Sequence, residues 1–236
     1  MLRETPRSLV TTLPDVATTL VVRQEPGGER EVMIAGPRTR ALYHQRGPEP
    51  GPTCLQMRIR PGRARPLVDR SLATLTDRIV PLAVPELADD LLAVIDAGPA
   101  PLDAIVARWL APTSAYDRAR SELVAEATRL LSPSDGGAGA AIGVAAVARK
   151  LHISERQLRN LFAQAVGLSP KQFASVDRVR TVLALGPHDG LARAAGAAGY
   201  YDQPHMTAEF RRLMGVPPGA YLAGHRPTPS PCAHPA

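Results

Sequence analysis

Along the first third of the chain, apolar and polar positions alternate in short runs. Residues 18–23 (TTLVVR), 31–35 (EVMIA) and 54–60 (CLQMRIR) are rich in Val, Ile, Thr and Met. In the third run Leu55, Met57 and Ile59 fall on one side and Gln56, Arg58 and Arg60 on the other, the period-two pattern of a half-buried strand. EPGGER supplies glycines for a hairpin loop between the first two runs, and RPGRARP ends the third. A small β-rich unit is predicted over residues 1–83. From residue 84 the spacing becomes helical: VPELADDLLAVIDAG sets Leu87, Leu91, Leu92 and Ile95 on one stripe, which Gly98 and Pro99 stop. PLDAIVARWLAP and SAYDRARSELVAEATRLLS continue as amphipathic helices. Residues 84–115 thus read as a helical connector, and Trp109 and Tyr116 as core residues. PSDGGAGAAIG (133–143) has almost no side chain to pack and reads as a loop, with the seam between modules earlier.

Further on, Ser154 opens Ser-Glu-Arg-Gln, a capping box in which the hydroxyl accepts from the amide of Gln157 and the glutamine reaches back. Leu158, Leu161, Phe162 and Val166 then recur on one face, until Gly167 and Pro170 turn the chain. VAAVARKL (144–151) supplies a helix just upstream, so helix, tight turn and capped helix form a helix-turn-helix unit. Any αα-hairpin in a core gives the same spacing, so a single copy discriminates weakly. A second copy follows: Asp202, Met206, Phe210, Gly215, Pro218 and Tyr221 stand 48 residues after Ser154, Leu158, Phe162, Gly167, Pro170 and Phe173. The upstream helix repeats at 47 (Val144 with Leu191, Ala148 with Ala195), which leaves one extra residue in the second turn. Between the copies KQFASVDRVRTVLAL (171–185) is predicted as a helix with Phe173, Val176, Val179 and Leu183 inward, about 20 Å long.

The formal net charge of +6 is unevenly placed: residues 1–143 hold 17 Arg and 17 acidic residues, whereas 144–223 hold 10 Lys plus Arg against 5 acidic ones. The repeat therefore sits in the basic third, as a polyanionic partner requires. A hydrophobic fraction of 44% with 21% charged residues is that of a chain that buries a core. The two cysteines, Cys54 and Cys232, provide neither a disulfide framework nor a metal site, and the histidines share no metal spacing. His205, third in its helix, is expected to pack or hydrogen-bond locally. No phosphate-cradling loop, nucleophile elbow or acid/base constellation is legible, so the expectation is no enzyme, no cofactor and no metal. With no signal peptide and no run approaching a membrane span, the expected location is cytoplasmic.

Together, SERQLRNLF, GLSPKQF and AAGYYDQPHMTAEFRRLMGVPPGAY closely resemble the DNA-binding domain of AraC/XylS-type transcription regulators over about residues 116–223. LPDVATTLVV, IAGPRTRA and MRIRPGRARPLV resemble the small N-terminal domain of actinobacterial members. The expected fold is α+β: a β-rich N-terminal sensor and dimerisation domain, the connector, and an all-α C-terminal domain with two helix-turn-helix motifs joined by a linker helix. Residues 224–236 form a tail with no packing pattern, expected to be disordered. The resemblance implies sequence-specific regulation of transcription, as activator or repressor. Its partners would be double-stranded DNA, RNA polymerase, a small-molecule effector and a second copy of the chain. The alternative is a ligand-binding or enzymatic N-terminal domain with the basic part as an interaction module.

A wheel at about 100° per residue leaves Arg156, Asn160 and Ala163 opposite the first apolar face and Pro204, Ala208 and Arg211 opposite the second. Arg159 and Thr207 flank those ridges, and Gln203 opens the second helix. Arg156 and Arg159 suit guanine, Asn160 and Gln203 suit adenine, while Arg149, Lys150, Lys171, Arg211 and Arg212 are placed for phosphates. The plain alternative for each arginine is a solvated helix face. Pro204 and Ala208 offer the second reader few base hydrogen bonds, so one strict and one loose operator half are expected.

Overall fold

The computed structural model describes residues 9–45, 52–68, 71–98, 102–112, 114–132 and 142–229. Among the described residues the N-terminal part holds six strands: β1 (Leu9–Thr12), β2 (Thr18–Gln24), β3 (Arg30–Ala35), β4 (Leu42–Gln45), β5 (Thr53–Ile59) and β6 (Ile79–Pro81). The three predicted runs are β2, β3 and β5, which form an antiparallel sheet in the order β5-β2-β3-β6, while β1 and β4 pair as a separate ribbon. The register sets Val22 opposite both Val32 and Leu55, and Leu20 opposite Ile34 and Met57. Alternation therefore collects these residues with Ile59 on one face. The strands not anticipated, β1, β4 and β6, are three or four residues long, too short for alternation to register.

Two helices, α1 (Pro85–Ala97) and α2 (Leu102–Leu110), cover that face. Leu87, Leu91, Val94 and Ile105 share one buried cluster with Leu20, Val22, Ile34 and Ile59. The predicted connector is thus the lid of the N-terminal core. Leu92 is only half-buried, Val94 completes the stripe, and the side chain of Ile95 lies outside the described residues. Trp109 is half-buried and donates its indole N–H to Asp90 at 2.7 Å. Tyr116, read as core from the sequence, is 71% exposed, because its helix turns the Val124, Ala127 and Leu131 face inward instead.

That helix, α3 (Ala115–Leu131), begins the C-terminal unit, followed by α4 (Val144–Lys150), α5 (Glu155–Ala165), α6 (Pro170–Asp189), α7 (Leu191–Ala197), α8 (Gln203–Met214) and α9 (Pro218–Leu222). The predicted loop at 133–143 lies outside the described residues up to residue 141. Both helix-turn-helix units appear where the repeat placed them: α7 follows α4 by 47 residues, and the start of α8 follows that of α5 by 48. Each turn passes through the left-handed region just before its cap, at His152 (φ 54°), two residues ahead of Ser154, and at Gly199 (φ 76°), three ahead of Asp202. One core cluster joins Leu158, Phe162, Phe173, Val179, Met206 and Phe210. The linker α6 holds 20 residues, hence about 30 Å; it exceeds the predicted 171–185 by one residue at the start, where the Ser169 capping box sets Pro170 as the first residue, and by four at the end, where the helix runs on through Pro187 to Asp189. Residues 224–229 of the expected tail are placed: Arg226 lies 3.6 Å over the Tyr221 ring. The remainder, 230–236, lies outside the described residues.

Candidate nucleic-acid interface

Both candidate reading helices begin with a side-chain cap, which settles where each polar ridge starts. At α5 the Ser154 hydroxyl accepts from the Gln157 amide at 3.1 Å, and the Gln157 side chain accepts from the Ser154 amide at 2.8 Å. At α8 the Asp202 carboxylate accepts from the His205 amide at 2.7 Å. Leu158, Leu161, Phe162 and Ala165 of α5 are buried, as are Met206, Phe210, Leu213 and Met214 of α8. The opposite ridges are therefore forced outward: Arg156, Arg159, Asn160, Gln203, Pro204, Ala208 and Arg211 are all exposed, while Ala163 and Thr207 are half-buried. Arg159 pairs with Glu155 at 2.9 Å across one turn.

Of the cations expected at phosphates, Arg211 stands exposed on α8 and the others fall into two groups. Arg149 and Lys150 end α4, exposed. Lys171 in the first turn of α6, His205 and Arg212 line an open cleft of about 440 Å³ between α6 and α8. Arg212 donates to the Ser175 hydroxyl at 2.6 Å, so its guanidinium is tethered to α6. His205 packs edge-on to Tyr200, 5.4 Å between ring centres, in line with a local role. Of the doubled aromatic, Tyr200 is buried and Tyr201 is 96% exposed beside the cap of α8. Sequence reasoning passed over Tyr201, although two adjacent aromatics before a cap cannot both enter one core.

A part-buried polar network sets α8 against the linker α6. Arg178 donates to Glu209 at 2.8 and 3.0 Å, and the Tyr200 hydroxyl donates to Glu209 at 2.9 Å. Burial pushes the Glu209 carboxyl up, but the hydrogen bonds and charge of Arg178 outweigh it and hold the group below the usual carboxylate range.

The carbonyls at a helix C-terminus have no partner within the helix, and in both α5 and α8 the β-rich unit supplies some. On α5, the Ser71 hydroxyl donates to the Ala163 carbonyl at 2.8 Å and the Gly62 amide to that of Ala165 at 3.1 Å. Just beyond, the Thr76 hydroxyl donates to the Gly167 carbonyl at 2.5 Å. On α8, the Ala41 amide donates to the Leu213 carbonyl at 2.8 Å and the Tyr43 hydroxyl to that of Met214 at 2.7 Å. Burial raises the Tyr43 phenol to about 12. One unit therefore grips the C-terminal ends of both helices, while their capped N-terminal ends, with Arg156 and Gln203, stay in solvent.

Among the described residues no group of three or more His, Cys, Asp or Glu could hold a metal ion, and no helix is long and apolar enough to cross a membrane. Comparison with curated proteins gives no match. Among solved structures the chain is similar to the C-terminal domain of AraT, a response regulator from Geobacillus stearothermophilus, at 20% identity over 50% of this chain and 91% of that one, TM-score 0.36. It is also similar to two forms of ToxT from Vibrio cholerae, each at 10% identity. An apo form is covered over 93% of this chain and 94% of that one, with TM-score 0.44. An unsaturated fatty acid bound form is covered over 96% and 100%, with TM-score 0.38. Residues 147–224 match a family model described as a helix-turn-helix domain. That span takes in α5, α8 and all of the repeat except the first three residues of α4, so residues 147–224 are an AraC-type helix-turn-helix DNA-binding domain.

Proposed function

We propose that α5 and α8 enter successive major grooves of one operator, and that the β-rich unit governs how well the pair fits. The observation that carries this is the exposure of two polar ridges, 48 residues apart in sequence, on helices gripped at their C-terminal ends by one unit. Successive major grooves lie ~34 Å apart along the duplex, close to the ~30 Å length of α6. In this reading Arg156 and Arg159 contact guanines, and Asn160 and Gln203 adenines. Arg159 must leave Glu155 to do so; an exposed pair of this kind is worth about 0.3–0.5 kcal/mol, against roughly 1–3 kcal/mol of discrimination for a good bidentate base contact. Reading wins.

Lys171 and Arg212, with the N-terminus of the 20-residue α6, suit one phosphate, and Arg149, Lys150 and Arg211 suit others. Thr207, Pro204 and Ala208 give α8 a mostly apolar ridge, suited to thymine methyls and groove shape, so the α8 half of the operator is the looser one. Residues 1–115 would serve as the sensing and pairing part and 116–223 as the reader. RNA polymerase, an effector and a second copy are the partners, and no catalysis is involved.

Mobility-shift assays with source-genome fragments test the reading. Arg156→Ala and Arg159→Ala should each lower affinity for the selected site about 5- to 150-fold, whereas Lys171→Ala should weaken all sequences alike and flatten the salt dependence. Unchanged affinity in both arginine variants would remove α5 as a reader.

A further inference from the structure

A second cleft, of about 460 Å³, lies between the loop that ends β5, the start of α3 and the last turn of α5. It takes its lining from three stretches far apart in the chain and touches none of the proposed base contacts. Leu110, Pro66 and Ala165 form part of its apolar lining, and three arginines, Arg63, Arg65 and Arg120, line it with one acidic residue, Asp117. Arg120 hydrogen-bonds two neutral oxygens, the Tyr116 phenol at 3.4 Å and the side-chain carbonyl of Gln164. Arg65 donates to the Val68 carbonyl at 2.6 Å. Tyr116, itself 71% exposed, is part of the lining. The volume falls within the roughly 300–1,000 Å³ of small-molecule sites, which combine an apolar lining with a few polar anchors.

From this arrangement we infer that the cleft binds a small organic anion, a carboxylate or phosphate monoester on an apolar or aromatic body, and so is the effector site. Planar guanidinium forks match the two or three oxygens of such a group, while Tyr116 and Leu110 receive the body. The excess of cations over carboxylates in the lining disfavours a neutral or cationic occupant. Coupling runs through Arg120: an anion that takes its N–H groups draws them off Gln164, which lies in the last turn of α5 next to the gripped Ala163 carbonyl. An occupant that favours one placement of that helix end changes DNA affinity by its differential affinity for the two placements. The regulatory half of this inference rests on α5 being a DNA reader; the binding half does not.

Calorimetry on the full chain tests it, with benzoate and phenyl phosphate as probes that separate the two anion sources. At least one should bind saturably, with Kd at or below about 1 mM, and the double variant Arg63→Gln/Arg120→Gln should bind at least about tenfold more weakly. Circular dichroism melting confirms that the variant is folded, and Arg120→Lys, which keeps the charge without the fork, should recover part of the affinity. Arg156→Ala should bind the probe as the wild type does, so failure of the DNA reading would show on DNA alone and leave the calorimetry standing. Three results would overturn the inference: no saturable heat with either probe up to about 10 mM, probe binding indifferent to the double variant, or a double variant that loses only DNA affinity with a shallower salt slope. The last would make these arginines phosphate contacts to DNA.

Discussion

Single positions in the two turns differ in a way that the backbone explains. His152 and Gly199 occupy equivalent left-handed positions at φ 54° and 76°, a region costing an L-residue roughly 1–2 kcal/mol. A Cβ at Gly199 would meet nothing within 4 Å, so Gly199→Ala should cost about 1 kcal/mol through backbone strain alone. His152→Gly should be neutral or stabilising. Gly167 is a different case: it too is left-handed, at φ 86°, but its Cβ would come to 2.8 Å from the Leu72 carbonyl and 3.0 Å from Pro37. Gly167→Ala should therefore cost several-fold more than Gly199→Ala, and part of the loss should appear as separation of the β-rich unit from α5. Urea melts check the order, and equal losses would show that Leu72 and Pro37 yield without cost. Gly167 was legible in the sequence as a helix breaker, but its surroundings were not, since Leu72 and Pro37 are remote in the chain.

Between elements, the orientation of α8 on α6 depends on the contact of Arg178, Tyr200 and Glu209. Removing one member of a buried pair costs about 3–5 kcal/mol; with Arg178 and Glu209 side chains 20% and 10% exposed, Arg178→Ala should cost about 2 kcal/mol once screening is allowed for. The pH dependence follows from the depressed Glu209 carboxyl. Its folded value lies below the unfolded value of about 4.3, so its stabilisation is complete above the unfolded value and is lost as pH falls through the folded one. Melting temperatures of wild type and Glu209→Gln should converge as pH drops from about 6 to about 3. A constant gap would deny Glu209 its charge-dependent role. The caps, the apolar faces and the repeat that place α5 and α8 were readable, because a helix of 3.6 residues per turn writes its buried side into local spacing. The Arg178–Glu209 pair spans 31 residues and leaves no periodic trace.

Across the whole molecule, hydrogen bonds from the β-rich unit reach both α5 and α8, and loosening them should change geometry more than folding. Tyr43→Phe combined with Ser71→Ala removes the side-chain donors to Met214 and Ala163, at about 1 kcal/mol each. The variant should bind its selected operator several-fold more weakly, yet lose less than the wild type when one base pair is inserted between the half-sites, as mobility shifts with the two operators would reveal. Equal sensitivity to the insertion would mean that α6 alone holds the spacing. The chain order by itself determined the α+β class, the duplicated capped helices, the basic third and the identity of the outward ridges, since each is written in neighbours three or four residues apart or in a repeat. Folding in three dimensions decided that α1 and α2 close the N-terminal core, that Tyr116 and three arginines line one cleft, and that the β-rich unit holds both α5 and α8. Those are contacts between segments tens to more than a hundred residues apart, specified by complementary shape and unpaired polar groups rather than by any local period.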